Sequence, residues 1–199
     1  MLKFKLSAAA LALGALCAGF SVHATPVTFT AALSGAAESP ANASAGTGLA
    51  SVIFDTALHT MSVSVSFSGL TGTTTAAHIH CCTAAPLSGT AGVATQTPTF
   101  VGFPLGVTSG TYSNVFDMTL ASSYRAGFIT SSGGSTALAE LALFNGAVAG
   151  KTYLNLHTTA FPGGEIRGFL VPEPASLALV LLALGGIGAT ARSRSSRRG

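Results

Sequence analysis

Residues 60–67 carry the clearest pattern in the chain: Met61, Val63, Val65 and Phe67 alternate with Ser62, Ser64 and Ser66. A period of two is that of a half-buried strand. Weaker versions of the pattern predict strands over 27–33, 46–54, 76–81, 111–120, 153–157 and 165–171, each bounded by turn-forming residues. In the second of these, Leu49, Val52 and Phe54 are the expected core positions. Residues 38–44, with Pro40 and Asn42, read as a loop, and 55–59 as a short connection. Phe161-Pro162-Gly163-Gly164 is strong turn chemistry between two strands. One segment breaks the rule. Over 135–149, Leu138, Leu141, Ala142 and Phe144 recur at helical spacing among good helix formers, which predicts a short amphipathic helix. Residues 83–110 are rich in Gly, Pro and Thr and long for a loop in a compact domain, the mark of a functional or partly mobile segment. Short strands at this spacing predict a mainly β domain: an antiparallel, Greek-key-like sandwich or barrel with one short helix.

The two ends are apolar without alternation. Lys3 and Lys5 precede an apolar stretch over 6–20, and Val22-His23-Ala24 places compact residues where a signal peptidase reads them. This predicts a secretory signal peptide over 1–24. Cys17 follows Gly14-Ala15-Leu16, with Leu where a lipoprotein signal needs a small residue, so it reads as part of that peptide. At the other end Val171-Pro172-Glu173-Pro174 leads into an apolar run over 175–190, then Arg192, Arg194, Arg197 and Arg198. Both prolines forbid a helix through the motif. The run of 16 residues is short of the ~20 of a comfortable span, and the arginines hold the terminus on the cytoplasmic side.

The formal net charge of +3 belongs to these ends. Between residues 25 and 170 the charged residues are Arg125, Lys151 and Arg167 against Glu38, Asp55, Asp117, Glu140 and Glu165, which is 3 − 5 = −2. That excludes the basic face a nucleic-acid binder needs. The remaining 146 residues are the size of one domain with a substantial core.

The C-terminal arrangement resembles the PEP-CTERM sorting signal of Gram-negative bacteria. The resemblance implies recognition of Val171, Pro172, Glu173 and Pro174 by an exosortase, a membrane-embedded thiol protease-transpeptidase. It also implies a membrane intermediate and release to the cell surface or extracellular matrix, among exopolysaccharide or matrix proteins. The chain then divides into a signal peptide (1–24), a β domain (25–170) and a sorting tail with a hydrophobic helix (171–199).

Chemistry in the body is confined to two places. In Ala77-His78-Ile79-His80-Cys81-Cys82, His78 and His80 share one face of a strand. Two imidazoles at that spacing can bind one metal ion, and a neighbouring thiolate can join them. In Asn155-Leu156-His157-Thr158, turn, Glu165-Ile166-Arg167-Gly168, Asn155 and His157 share one face, as do Glu165 and Arg167 on the returning strand. His78, His80, His157, Glu165 and Arg167 therefore form either a copper or zinc site or a hydrogen-bonded structural network. Cys81 and Cys82 are expected not to stay free outside the cytoplasm. A vicinal disulfide, an intermolecular bridge and thiolate ligation are all open to them.

These segments are similar to those of the CHRD domain, named for its repeats in the animal protein chordin. The similarity spans about 27–170, with His78, His80, His157, Gly163, Gly164, Glu165, Arg167 and Gly168 as hallmark residues. Many members carry Gly-Pro where this chain has Cys81-Cys82. The resemblance implies no catalytic activity. No Gly-x-Ser-x-Gly and no phosphate-binding Gly-rich loop is present. The expectation is a non-enzymatic exported surface or matrix protein that binds protein or polysaccharide partners and needs no cofactor, with a copper or zinc domain of redox capability as the alternative.

Overall fold

The computed structural model describes residues 25–174; the expected signal peptide and tail helix fall outside them. Eight strands make one antiparallel sheet: β1 Val27–Ser34, β2 Thr47–Asp55, β3 Thr60–Ser68, β4 Thr74–His80, β5 Gly110–Asp117, β6 Tyr153–Thr158, β7 Ile166–Phe169 and β8 Val171–Pro172. Their order is β4-β6-β7-β1-β2-β3-β5, with β8 also paired to β1. The sheet curls into a half-barrel, so β1 is the seam between a β4-β6-β7 wing and a β2-β3-β5 wing.

Alternation decides which residues face the core. Met61, Val63, Val65 and Phe67 are all buried, as their period predicts. On β2, Ala50, Val52 and Phe54 are buried while Leu49 is 66% exposed. Leu49 has the wrong parity, and a side-chain period of two gives it no way inward. Phe29, Phe54 and Phe144 meet edge-to-face, with centroids 5.7–6.2 Å apart, a favoured aromatic geometry.

Helix α2 spans Thr136–Val148, started by Ser135, whose hydroxyl accepts from the Leu138 N–H at 3.3 Å. The face it buries is not the leucine face. Leu138 and Leu141 are 44% and 53% exposed, whereas Ala139, Leu143, Gly146 and Ala147 are buried. Close approach explains the choice. A Cβ at Gly146 would lie 2.5 Å from the sulfurs of both Cys81 and Cys82, so only a small-residue face can dock there. A six-residue helix, α1 Ala126–Ser131, precedes it. It has no side-chain N-cap and contains Gly127, so its sequence carries no start signal.

The long segment after β4 is a cover, not a free loop. It runs along the outer edge of β4 and takes up its backbone groups: Phe100 N–H to Ala77 O, Ala94 N–H to Ile79 O, Gly106 N–H to Thr74 O. Thr95 and Thr99 hydroxyls accept from the Ile79 and Ala77 N–H groups. Phe100 and Phe103 anchor it in the core. An end strand is thereby blunted against pairing with another chain. Among the described residues no helix is long and apolar enough to cross a membrane.

Candidate metal centre

Antiparallel register builds the site. On the β4-β6-β7 wing, Ala77, Ile79, Leu154, Leu156 and Ile166 point to the apolar core. The opposite face collects the polar residues. There His80 pairs with Tyr153, His78 with Asn155 and Ala76 with His157, and Asn155 pairs on its other side with Arg167. The covering segment closes over this face, so His78 and His80 are buried and His157 half-buried.

Each imidazole is fixed by one backbone carbonyl. His78 Nε2 meets Pro98 O at 2.5 Å, His80 Nδ1 meets Ala91 O at 2.9 Å, and His157 Nδ1 meets Pro162 O at 2.9 Å. A carbonyl only accepts, so these nitrogens carry the protons. The other three nitrogens, His78 Nδ1, His80 Nε2 and His157 Nε2, are therefore acceptors, and all three are buried without a partner. The ligand atoms of the trio lie within 4.8 Å of one another. One ion at 2.0–2.1 Å from three nitrogens needs them about 3.3 Å apart, so binding would require the rings to draw together. Tyr153 stacks on His80 at 4.7 Å, and the Arg167 guanidinium lies over the Tyr153 ring, 4.7 Å from its centroid. The Tyr153 hydroxyl holds Ala91, the residue whose carbonyl orients His80.

Burial, the largest cause for all three, lowers the histidine pKa values, His80 to about 4. The carbonyl bonds oppose it; neighbouring histidines add to it for His78 and His80. The trio is neutral at pH 7, as a metal ligand must be.

Glu165 and Arg167 do not join the trio. The Glu165 carboxylate accepts from the Ser44 and Thr158 hydroxyls and the Thr71 and Gly72 N–H groups, tying two loops to the end of β6. Those bonds outweigh its burial and lower its pKa. Arg167 donates from Nε to Ala37 O and from Nη1 to Gly89 O, with Glu38 Oε2 at 3.8 Å. Sequence reasoning missed Glu38, which carries no motif. Burial raises its pKa to about 7 against the pull of Arg167 and the Ser39 N–H. Cys81 and Cys82 are joined to each other, and their sulfurs face α2 rather than the histidines.

The metal-free domain is expected to lose stability in mild acid. His80 has a native pKa below its unfolded value near 6.5, so its contribution is complete above pH 6.5 and is lost toward pH 4. That is worth about 3 kcal/mol as an order of magnitude. Glu38 acts with the opposite sign: its raised pKa gives stability below about 4.5 that is lost as pH rises through 7. Three histidines outweigh one carboxyl. The Tm of chelator-treated protein should fall between pH 7 and 5, and more steeply in Glu38→Gln, which loses the counterweight. A flat or rising profile in both would contradict the assigned neutral trio.

A single antiparallel β domain with a buried histidine trio, continued by a sorting tail, is the class of protein that this fold and these motifs define. The chain belongs to the CHRD domain family, whose model matches residues 29–170. A PEP-CTERM protein-sorting motif matches residues 170–198. No curated protein and no solved structure matches the chain. The two matches make it an exported protein sorted by an exosortase at the membrane toward the cell surface, and neither family is an enzyme family.

Proposed function

We propose that this exported, non-enzymatic CHRD domain holds one transition metal ion, copper or zinc, on His78, His80 and His157. The observation that carries the reading is the convergence of three buried, unpaired imidazole acceptors whose outer N–H groups are already spent on carbonyls. A buried unpaired acceptor costs about 1–3 kcal/mol. One water has two protons to donate and leaves one of the three acceptors unpaired. One cation meets all three. The alternative of a hydrogen-bonded network has less support: no histidine of the trio bonds to Glu165 or Arg167, whose partners lie elsewhere. Three imidazoles without a carboxylate suit copper or zinc over calcium or magnesium, with a fourth position left for an exogenous ligand.

In this reading a signal peptide over 1–24 exports the chain, and the mature domain works at the surface or in the extracellular matrix of a Gram-negative bacterium. Its protein or polysaccharide partners would meet the outer face of the β2-β3-β5 wing. There Ser64, Ser66 and Ser113 offer hydroxyls around the exposed Leu49 and Val115. Titration of the chelator-treated mature protein with Cu(II) and with Zn(II) tests the metal. One ion bound per chain, with a raised Tm, is expected for at least one of them. No stoichiometric binding and no shift for either ends the reading.

A further inference from the structure

The sorting motif is part of the sheet. The domain match ends, and the sorting match begins, at residue 170, with no spacer between them. Leu170 is fully buried, and its N–H donates to Thr152 O at 2.9 Å. The next two residues are β8: Val171 pairs with Thr30 and Pro172 with Phe29. Beyond them the Glu173 N–H donates to Thr28 O at 3.0 Å. The described chain ends at Pro174, and the apolar run of the sorting signal starts at Ala175. Antiparallel pairing also sets residues 27–28 beside 173–174, so both ends of the domain leave it at one corner.

From this, and resting on the exosortase reading of the tail, we infer that the Pro-Glu-Pro motif is held against β1. The membrane-embedded sorting enzyme can take it only after β8 leaves that strand. A peptidase cleft needs its substrate segment extended and free on the backbone edge by which the cleft grips it. In the native domain that edge of the motif is occupied by β1. No slack separates the folded body from the membrane-seeking run, so the enzyme cannot reach the motif by bending a linker. Release is small in extent. β8 has two residues, Val171 is 41% exposed, and the two prolines contribute no N–H to the ladder. The surface offered to the sorting enzyme is thus the corner formed by the start of β1 and the end of β8.

The test locks or loosens this contact in the full chain, expressed with its sorting enzyme. Thr30→Cys with Val171→Cys joins a cross-strand pair; each single variant controls for the substitution, and melting curves confirm the fold. Membranes carrying the oxidised double variant should convert precursor to product at least tenfold more slowly than wild type. Reductant should restore the rate. A flexible six-residue Gly-Ser insertion between Leu170 and Val171 should speed conversion, because the motif gains slack. Wild-type rate in the oxidised double variant overturns the inference, and so does slower conversion in the insertion variant. A wild-type chain left unprocessed beside an active enzyme would instead remove the sorting reading on which it rests.

Discussion

Alanine at any one of His78, His80 or His157 should lower metal affinity by more than about 100-fold, because losing an outer partner of a ligand already costs 10–100-fold. The contrast between loaded and metal-free protein is the informative part. At a thousandfold excess over Kd the metal adds about 4 kcal/mol to the wild-type domain. For a domain of this size that is a Tm rise of about 10 °C. Each variant should lose nearly all of that rise. Its metal-free Tm should fall as well, since the substitution also strands the carbonyl that the imidazole bonded and leaves a buried space. A purely structural histidine predicts that loss alone, with no metal-dependent shift to lose. His59→Ala is the control, because His59 is half-exposed, bonded to Glu140 at 2.7 Å and no member of the trio. Calorimetric titration and melting curves of the same preparations read both quantities.

The extent to which this centre was legible follows from the kind of information each part needs. A strand period is local, so His78 and His80 could be placed on one face from their spacing alone. His157 required a register between strands about eighty residues apart, and the paired motifs only made that pairing easy to expect. What could not be read were the three carbonyls of Pro98, Ala91 and Pro162. Any residue can supply a carbonyl, so side-chain identity carries no signal for it. The expectation that residues 83–110 form a functional segment was the nearest the sequence came to them.

Burial assignments failed where a second surface decided them. Leu49 and, on α2, Leu138 and Leu141 are apolar and exposed, because strand parity and the packing of Gly146 on the cysteine sulfurs overrule composition. Glu165 was expected on a polar face of the hairpin, sharing it with Arg167. Its side chain turns to two loops and the end of β6 instead of the histidines, since four donors converge there. In this chain the residues that carry the resemblance therefore serve two separate ends: a trio that converges on a point, and a carboxylate that ties loops to a strand end.

The seam at β1 gives the largest stability effect. Gly168→Ala should cost at least about 3 kcal/mol, the range in which a named steric fault is needed, and lower Tm by about 10 °C. The Cβ would overlap the Ala32 carbonyl oxygen and stand 2.9 Å from its carbon, with Leu33 Cδ2 at 3.0 Å. The first two obstacles are backbone of β1, which no rotamer change can move. Relief requires β7 to back away where Ser34 pairs with Arg167, opening the junction of the two wings. Gly163 supplies the contrast within the same motif. No atom lies within 4 Å of a Cβ built there, so Gly163→Ala should stay within about 0.5 kcal/mol of wild type. Differential scanning calorimetry of the two variants separates these outcomes. Equal stability would mean that β7 can leave β1 without cost and that the two wings fold as independent sheets. The costly result would instead make Gly168 the residue that lets β6 and β7 register against β1, and so indirectly fixes where His157 stands.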